Sequence, residues 1–139
     1  MHRKIFLLIL LDQITKLIFW GRDFFIGLLH IHPVKNFGIF FSFNFGLLNN
    51  LIIILAALGF FIYYYFKHRR GLKFLGQSSA VLIFAGAISN LADRIYLGYV
   101  RDFLDLGWAF TFNFADVLIA LGLFLLLLTN SSASDKIEL

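Results

Sequence analysis

Hydrophobic residues along this chain gather into four long runs separated by short polar clusters, at residues 5–20, 47–66, 75–91 and 113–128. Each run approaches the ~20 residues a helix needs to cross ~30 Å of hydrocarbon, the first and last falling somewhat short. Within lipid such runs must be helical, because backbone groups there find no water to satisfy them. The pattern therefore predicts an all-α membrane protein, with four transmembrane helices in a single domain spanning residues 1–139. Between the first two runs, Phe41-Ser42-Phe43-Asn44-Phe45 alternates apolar and polar side chains with the period of a half-buried strand. Pro33, the only proline, favours an extended His32 before it. A small β-sheet resting on the membrane surface is expected from this loop.

The few charges set the orientation. Arg3, Lys4, Lys67, Arg69, Arg70, Lys73 and Lys136 fall in the amino tail, the middle loop and the carboxyl tail. Arg22, Lys35, Arg94 and Arg101 lie in the other two loops, where Asp23, Asp93, Asp102 and Asp105 balance them. The excess of positive charge on the cytoplasmic side predicts that both termini and the 67–73 loop are cytoplasmic, with the acid-bearing loops facing outward. Met1-His2-Arg3-Lys4 ahead of an apolar run could open a cleavable leader. Asp12 and Lys16 interrupt that run and no small-x-small site follows, so a retained helix is expected.

Composition supports the membrane reading. The chain is 60% hydrophobic and 14% charged, against about 45–50% and about 25% in soluble domains. With no Cys there is no disulfide framework, thiol nucleophile or cysteine-ligated metal. The net charge of +4 reads as a topology signal beside apolar runs, and no nucleic-acid partner is expected.

Against this background the acids stand out, because an Asp at the centre of a spanning helix costs roughly 2.5–3.5 kcal/mol on insertion scales. Asp12 and Lys16, four residues apart on one helix face, can neutralise each other inside the bilayer. Asn90-Leu91-Ala92-Asp93-Arg94 ends the third run and Asn113-Phe114-Ala115-Asp116 opens the fourth, each with Asn and Asp at i and i+3. Asn amides can donate to a carboxylate or a substrate carbonyl, and Arg94 offers a fork of donors. Asp102 stands about ten residues before the fourth run and can fold back onto Asp116. Two carboxyls a few ångströms apart in low dielectric tend to share one proton. Such a pair can hydrolyse an amide without a metal or a nucleophilic side chain.

Other chemistries are weaker. His30 and His32 flank one residue with no acid at a telling spacing, so no metal site is expected. Ser42, Ser78, Ser79 and Ser89 lack a His or Lys base nearby. Gly59 and Gly86 suggest close helix packing. An alternative is a small proton- or ion-coupled transporter subunit, with Asp12, Lys16, Asp93 and Asp116 as a relay; a third reading is a scaffold held by polar helix contacts.

Five blocks carry a family resemblance: Asp12-Gln13-Ile14-Thr15-Lys16, Asn36-Phe37-Gly38-Ile39-Phe40-Phe41-Ser42, Gly86-Ala87-Ile88-Ser89-Asn90-Leu91-Ala92-Asp93-Arg94, Val100-Arg101-Asp102-Phe103 and Phe112-Asn113-Phe114-Ala115-Asp116. In these the chain resembles the lipoprotein signal peptidase (signal peptidase II) family of bacterial aspartic proteases. The resemblance implies that Asp102 and Asp116 form the catalytic dyad, with Asp93 as the rival for the first seat. It implies that Asn36, Asn90, Arg94 and Asn113 line the site and that Asp93 orients Arg94; a supporting role beside that site is the second reading of the Asp12–Lys16 pair. It further implies cleavage just before a diacylglyceryl-modified cysteine in prolipoproteins, at the periplasmic face of the bacterial inner membrane. Substrate and membrane lipid are then the partners; no cofactor and a monomer are expected. Three features depart from the family pattern. The stretch between Asp102 and Asn113 is short for a closing lid. Ile39 and Phe40 replace smaller residues and narrow the lipid cradle. Arg101, if it points inward, depresses the pKa of Asp102.

Overall fold

A computed structural model describes residues 1–39, 43–68, 74–107 and 110–134. The described residues form four helices and two pairs of strands: α1 (His2–Phe19), β1 (Phe24–Ile26), β2 (Leu29–Asn36), α2 (Leu47–His68), α3 (Phe74–Leu97), β3 (Val100–Asp105), β4 (Thr111–Phe112) and α4 (Phe114–Ser134). The helices follow the four apolar runs. α2 and α3 are each long and apolar enough to cross a membrane, while the apolar part of α4 is a shorter stretch, Phe114–Thr129. Asn50 is the one buried residue of α2, and most of the helix is exposed, including Leu48, Ile52, Leu55 and Phe60. A helix that is apolar all round and unburied by protein is suited to face lipid.

α3 is the hub, packing against α1, α2 and α4. Small residues let α4 approach it closely. A Cβ on Gly86 would collide with the Ala115 carbonyl and lie 2.7 Å from Ile119 Cγ1, and one on Gly122 would lie 2.6 Å from Ile83 Cγ1. Close backbone approach through small residues is how helices associate where lipid removes the hydrophobic drive. Gly59, by contrast, has open space at its Cβ position and makes no such approach among the described residues.

The strands form one antiparallel sheet in the order β1-β2-β3-β4. It is built from the two loops that the apolar pattern left between helices, and it lies away from the amino-terminal end, where Tyr65 near the end of α2 donates to Met1 Sδ. Pro33 sits inside β2 at an irregularity in its pairing with β3, between Ile31 and Val34, a place where a residue without an N–H is tolerated. The strand expected at residues 41–45 is absent at Phe43–Phe45, while Phe41 and Ser42, like Phe40, lie outside the described residues. Alternation over five residues is too short a signal to outweigh cross-strand partners, and β2 has them on both sides.

Aromatic rings mark the junction of helices and sheet. Phe19 stacks on Phe103 with ring centres 5.0 Å apart, and Trp20 on Tyr99 at 6.0 Å. Rings of this kind suit a boundary between hydrocarbon and water.

Candidate active site

Asp116 is placed by the start of α4. Asn113 is the residue before the helix, its Oδ1 accepting from the Asp116 N–H at 3.0 Å, while Asp116 Oδ2 accepts from the Asn113 N–H at 3.1 Å. This reciprocal pairing is a capping box, in which cap and third helical residue satisfy each other's donors. The Asn-x-x-Asp spacing thus serves the helix terminus and fixes the carboxyl at once. A further orphan donor, the Ala115 N–H, goes to Asp12 Oδ1 of α1 at 2.8 Å.

Asp102 is placed by the β3–β4 hairpin. Leu104 pairs with Phe112, so Asp102, two residues earlier, stands level with the residues that open α4. Side chains alternate across a strand, which sends Val100 and Asp102 into a cavity and Arg101 and Phe103 to the opposite face.

The amide orientations form a chain. Lys16 Nζ, which can only donate, binds Asn90 Oδ1 at 2.9 Å. That turns Asn90 Nδ2 toward Asp116 Oδ1, at 2.8 Å. Asn113, whose Oδ1 is committed to the Asp116 N–H, directs its Nδ2 to Asp102 Oδ1 at 2.6 Å and to Asn90 Oδ1 at 3.1 Å. Asn36 Nδ2 donates to the other Asp102 oxygen at 2.8 Å. Asp102 is fully buried, and among the described residues its oxygens meet amide donors and no cation. Burial first, and then the nearby Asp116 charge, push its carboxyl from the ordinary 3.8 up to about 7, against the opposing pull of Asn36 and Asn113.

Arg94 donates from Nη2 to the Gly38 carbonyl at 2.6 Å and from Nη1 to the Asn90 carbonyl at 3.2 Å. Its buried Nε has no partner among the described residues. Asp102, Asp116, Asn36, Asn90 and Arg94 all line one cavity of about 470 Å³. Its other wall is apolar, from Ile54 of α2, Ala87 of α3 and Ile119, Ala120 and Leu123 of α4. Ile39 lines the cavity as the sequence suggested. Paired carboxyls beside amide and guanidinium donors can share a proton, polarise a water and bind a carbonyl oxygen.

Asp12, Lys16 and Asp93 form a second polar cluster behind this one. Lys16 Nζ lies 2.8 Å from Asp12 Oδ2 and 3.3 Å from Asp93 Oδ2. Two expectations are corrected here. Arg101 does not reach Asp102; it binds Asp93 at 2.7 Å and Gln13 at 2.5 Å, because neighbouring strand residues face opposite ways. Asp93 does not hydrogen-bond Arg94; it accepts from Arg101, from Gln13 at 3.0 Å and from Lys16. Gln13, Ser89 and Arg101 had been given no supporting role from sequence. Ser89 donates to Asp12 at 2.6 Å and accepts from Gln13 at 2.9 Å.

A third cluster had been set aside from the sequence because no acid stood at a telling spacing from His30 and His32. Asp23 Oδ1 lies 2.7 Å from His30 Nε2 and Asp23 Oδ2 lies 2.9 Å from His32 Nδ1. The acid that seven residues of sequence separation made inconspicuous is delivered by the β1–β2 pairing.

Helices packed round an amphipathic cavity beside a small sheet are an architecture that a known class of membrane enzyme shares. A solved structure described as a bacterial membrane enzyme has the same fold, with a TM-score of 0.82 and 26% identity over 96% of this chain and 88% of that one. Residues 4–131 match the family of signal peptidase (SPase) II, and the chain belongs to that family. A lipoprotein signal peptidase of Thermodesulfovibrio yellowstonii is 37% identical over 145 residues, covering 91% of each chain. One from Fusobacterium nucleatum is 36% identical over 104 residues, covering 73% of this chain and 63% of its own length.

Proposed function

We propose that this protein removes signal peptides from lipid-modified bacterial prolipoproteins by aspartic hydrolysis, with Asp102 and Asp116 as the catalytic pair. The observation that carries this reading is the pair itself: two carboxyls on one cavity, each held by an Asn amide and neither in a direct ion pair. Charge balance supports a shared proton. Lys16, Arg94 and Arg101 are three buried cations, set against the carboxyls of Asp12, Asp93, Asp102 and Asp116. The cluster is neutral when one carboxyl keeps its proton, and Asp102, with amide partners alone, is the member best suited to keep it.

Asp116 then takes a proton from water as the water oxygen bonds to the scissile carbonyl carbon. Asp102 gives its proton to the carbonyl oxygen. In the second half Asp116 gives that proton to the amide nitrogen as the C–N bond breaks. Asp102 takes a proton back from a hydroxyl of the tetrahedral diol as the new carboxyl forms, so each acid regains its starting protonation. Asn113 and Asn90 hold the two carboxyls, while Arg94 and Asn36, on the cavity wall, are suited to bind a substrate backbone. The apolar wall of α2, α3 and α4 fits acyl chains of a diacylglyceryl cysteine, and the polar end receives the amide. On this reading all four helices span the inner membrane, the termini are cytoplasmic and the sheet is periplasmic. Met1 lies beside Tyr65, which puts the amino terminus at the end of α2 that carries Lys67, as a common cytoplasmic face requires. The enzyme works as a monomer without a cofactor.

The test is cleavage of a purified lipidated prolipoprotein, compared with its unlipidated form, by wild type and by Asp102→Asn and Asp116→Asn chains in detergent. The reading requires cleavage before the lipidated cysteine that both substitutions abolish. Turnover by either variant at the wild-type rate overturns it.

A further inference from the structure

On the sheet face opposite Asp102, three side chains converge whose combination the hydrolysis does not use. Asp23 precedes β1, and His30 and His32 lie two residues apart on β2. The register explains the meeting. Phe24 pairs with Ile31 and Phe25 with His30, which puts Asp23 across from His32. On the other side of β2, His30 pairs with Asp105 of β3. Asp105 and Asp102 differ by three positions on one strand, so they point to opposite faces.

The donor atoms are already gathered. One ligand atom each from Asp23, His30 and His32 lie within 4.8 Å of one another. The two rings stack with centres 5.1 Å apart, and Phe25 stacks on His30 at 4.0 Å, with the ring planes nearly parallel at 6°. Asp105 Oδ2 lies 3.8 Å from His30 Nδ1, the ring nitrogen turned away from Asp23. At that distance the carboxylate is within ion-pair range and a small movement short of the hydrogen bond that orients metal-binding His residues, while the other ring nitrogen faces the shared point.

We propose that Asp23, His30 and His32 bind a borderline divalent transition-metal ion of the Zn²⁺ type, with Asp105 positioning His30. Two imidazoles and one carboxylate suit zinc or copper and are poor ligands for calcium or magnesium. A tetrahedral ion with bonds of about 2.0–2.1 Å holds its ligand atoms roughly 3.3 Å apart. The 2.7 and 2.9 Å contacts of Asp23 therefore open slightly on binding. Asp23 is 61% exposed and His32 46% exposed, which leaves both free to move and leaves solvent to fill the remaining position. The ion ties the segment after α1 to β2, and through Asp105 to β3, the strand that carries Asp102. The site lies apart from the dyad and does not depend on the peptidase reading.

The test is zinc titration of the tag-free full chain in detergent by calorimetry, with Co²⁺ absorption to report coordination number. The expected result is one zinc per chain and four-coordinate cobalt bands. His30→Ala/His32→Ala loses the site, and Asp105→Asn, which keeps an acceptor for the Gly107 N–H, weakens it by about tenfold. His32→Gln, matched in size and still able to bond Asp23, separates ligand loss from misfolding. Asp102→Asn binds zinc as wild type does. Absence of uptake at about a hundred times the micromolar range, or equal affinity in the double-His variant, overturns the proposal, as does loss of uptake in Asp102→Asn alone.

Discussion

Two clusters of acids meet on opposite sides of Asn90, and their residue types are nearly the same. Behind it, Asp12 and Asp93 are held by Lys16 and Arg101 at 2.7–3.3 Å. In front, Asp102 and Asp116 are held by Asn36, Asn90 and Asn113. The difference lies in the partners. A carboxylate ion-paired on one side and hydrogen-bonded on the others has its charge settled, and it does structural work. A carboxyl given neutral amide donors in low dielectric keeps its proton affinity high and can trade a proton with a water. Asp93 and Asp102, rivals by spacing, are separated by that contrast.

The strongest way to break the contrast is to neutralise one acid in each cluster. Asp102→Asn or Asp116→Asn should lower prolipoprotein cleavage by about 10²–10⁴-fold while leaving the thermal transition near wild type. Asp93→Ala should do the reverse in kind. It strands Arg101 in a buried site and leaves Lys16 with Asp12 as its one carboxylate, at a cost of about 3–5 kcal/mol in stability, read by unfolding in detergent. Equal activity loss with no stability loss in Asp93→Ala would erase the distinction.

The pH response sharpens it. The folded pKa of Asp102, about 7, lies above its ordinary 3.8, so the folded chain binds this proton more tightly than the unfolded one. Its stabilising contribution is complete below about pH 3.8 and is lost as pH rises through about 7. Thermal unfolding at pH 5 and pH 8 should show the fall, and Asp102→Asn should flatten it. Cleavage should decline over the same alkaline limb as the shared proton leaves. The smallest effect is expected from Asn36→Ala, which removes one donor from Asp102 at 2.8 Å. Its loss raises the carboxyl's pKa further, moving the alkaline limb upward, with activity down roughly tenfold for one charge-assisted hydrogen bond. A pH–rate profile reads both changes together.

How much was legible beforehand can be followed residue by residue. The four helices followed from apolar runs because long apolar helices are dictated by local composition. Asp116 was legible through Asn113, since a capping box is written at i and i+3. Asp102 needed the hairpin, and choosing it over Asp93 needed the family resemblance, because spacing does not say which acid is neutralised. Whether Arg101 points toward Asp102 stayed open because strand alternation depends on β3 existing. Asp23 was invisible to spacing because only the β1–β2 register brings it to His30 and His32.

Local pattern, then, determined the helices, the cap of α4 and the presence of acids too costly to be idle in such a chain. Which acids are quenched by cations and which are left to amides was decided by tertiary structure. The physical reason is that helix formation and capping act over three or four residues. A carboxyl's charge state is instead set by whatever the fold places within a few ångströms of it, here from residues as far apart in sequence as Lys16, Asn36 and Asn113.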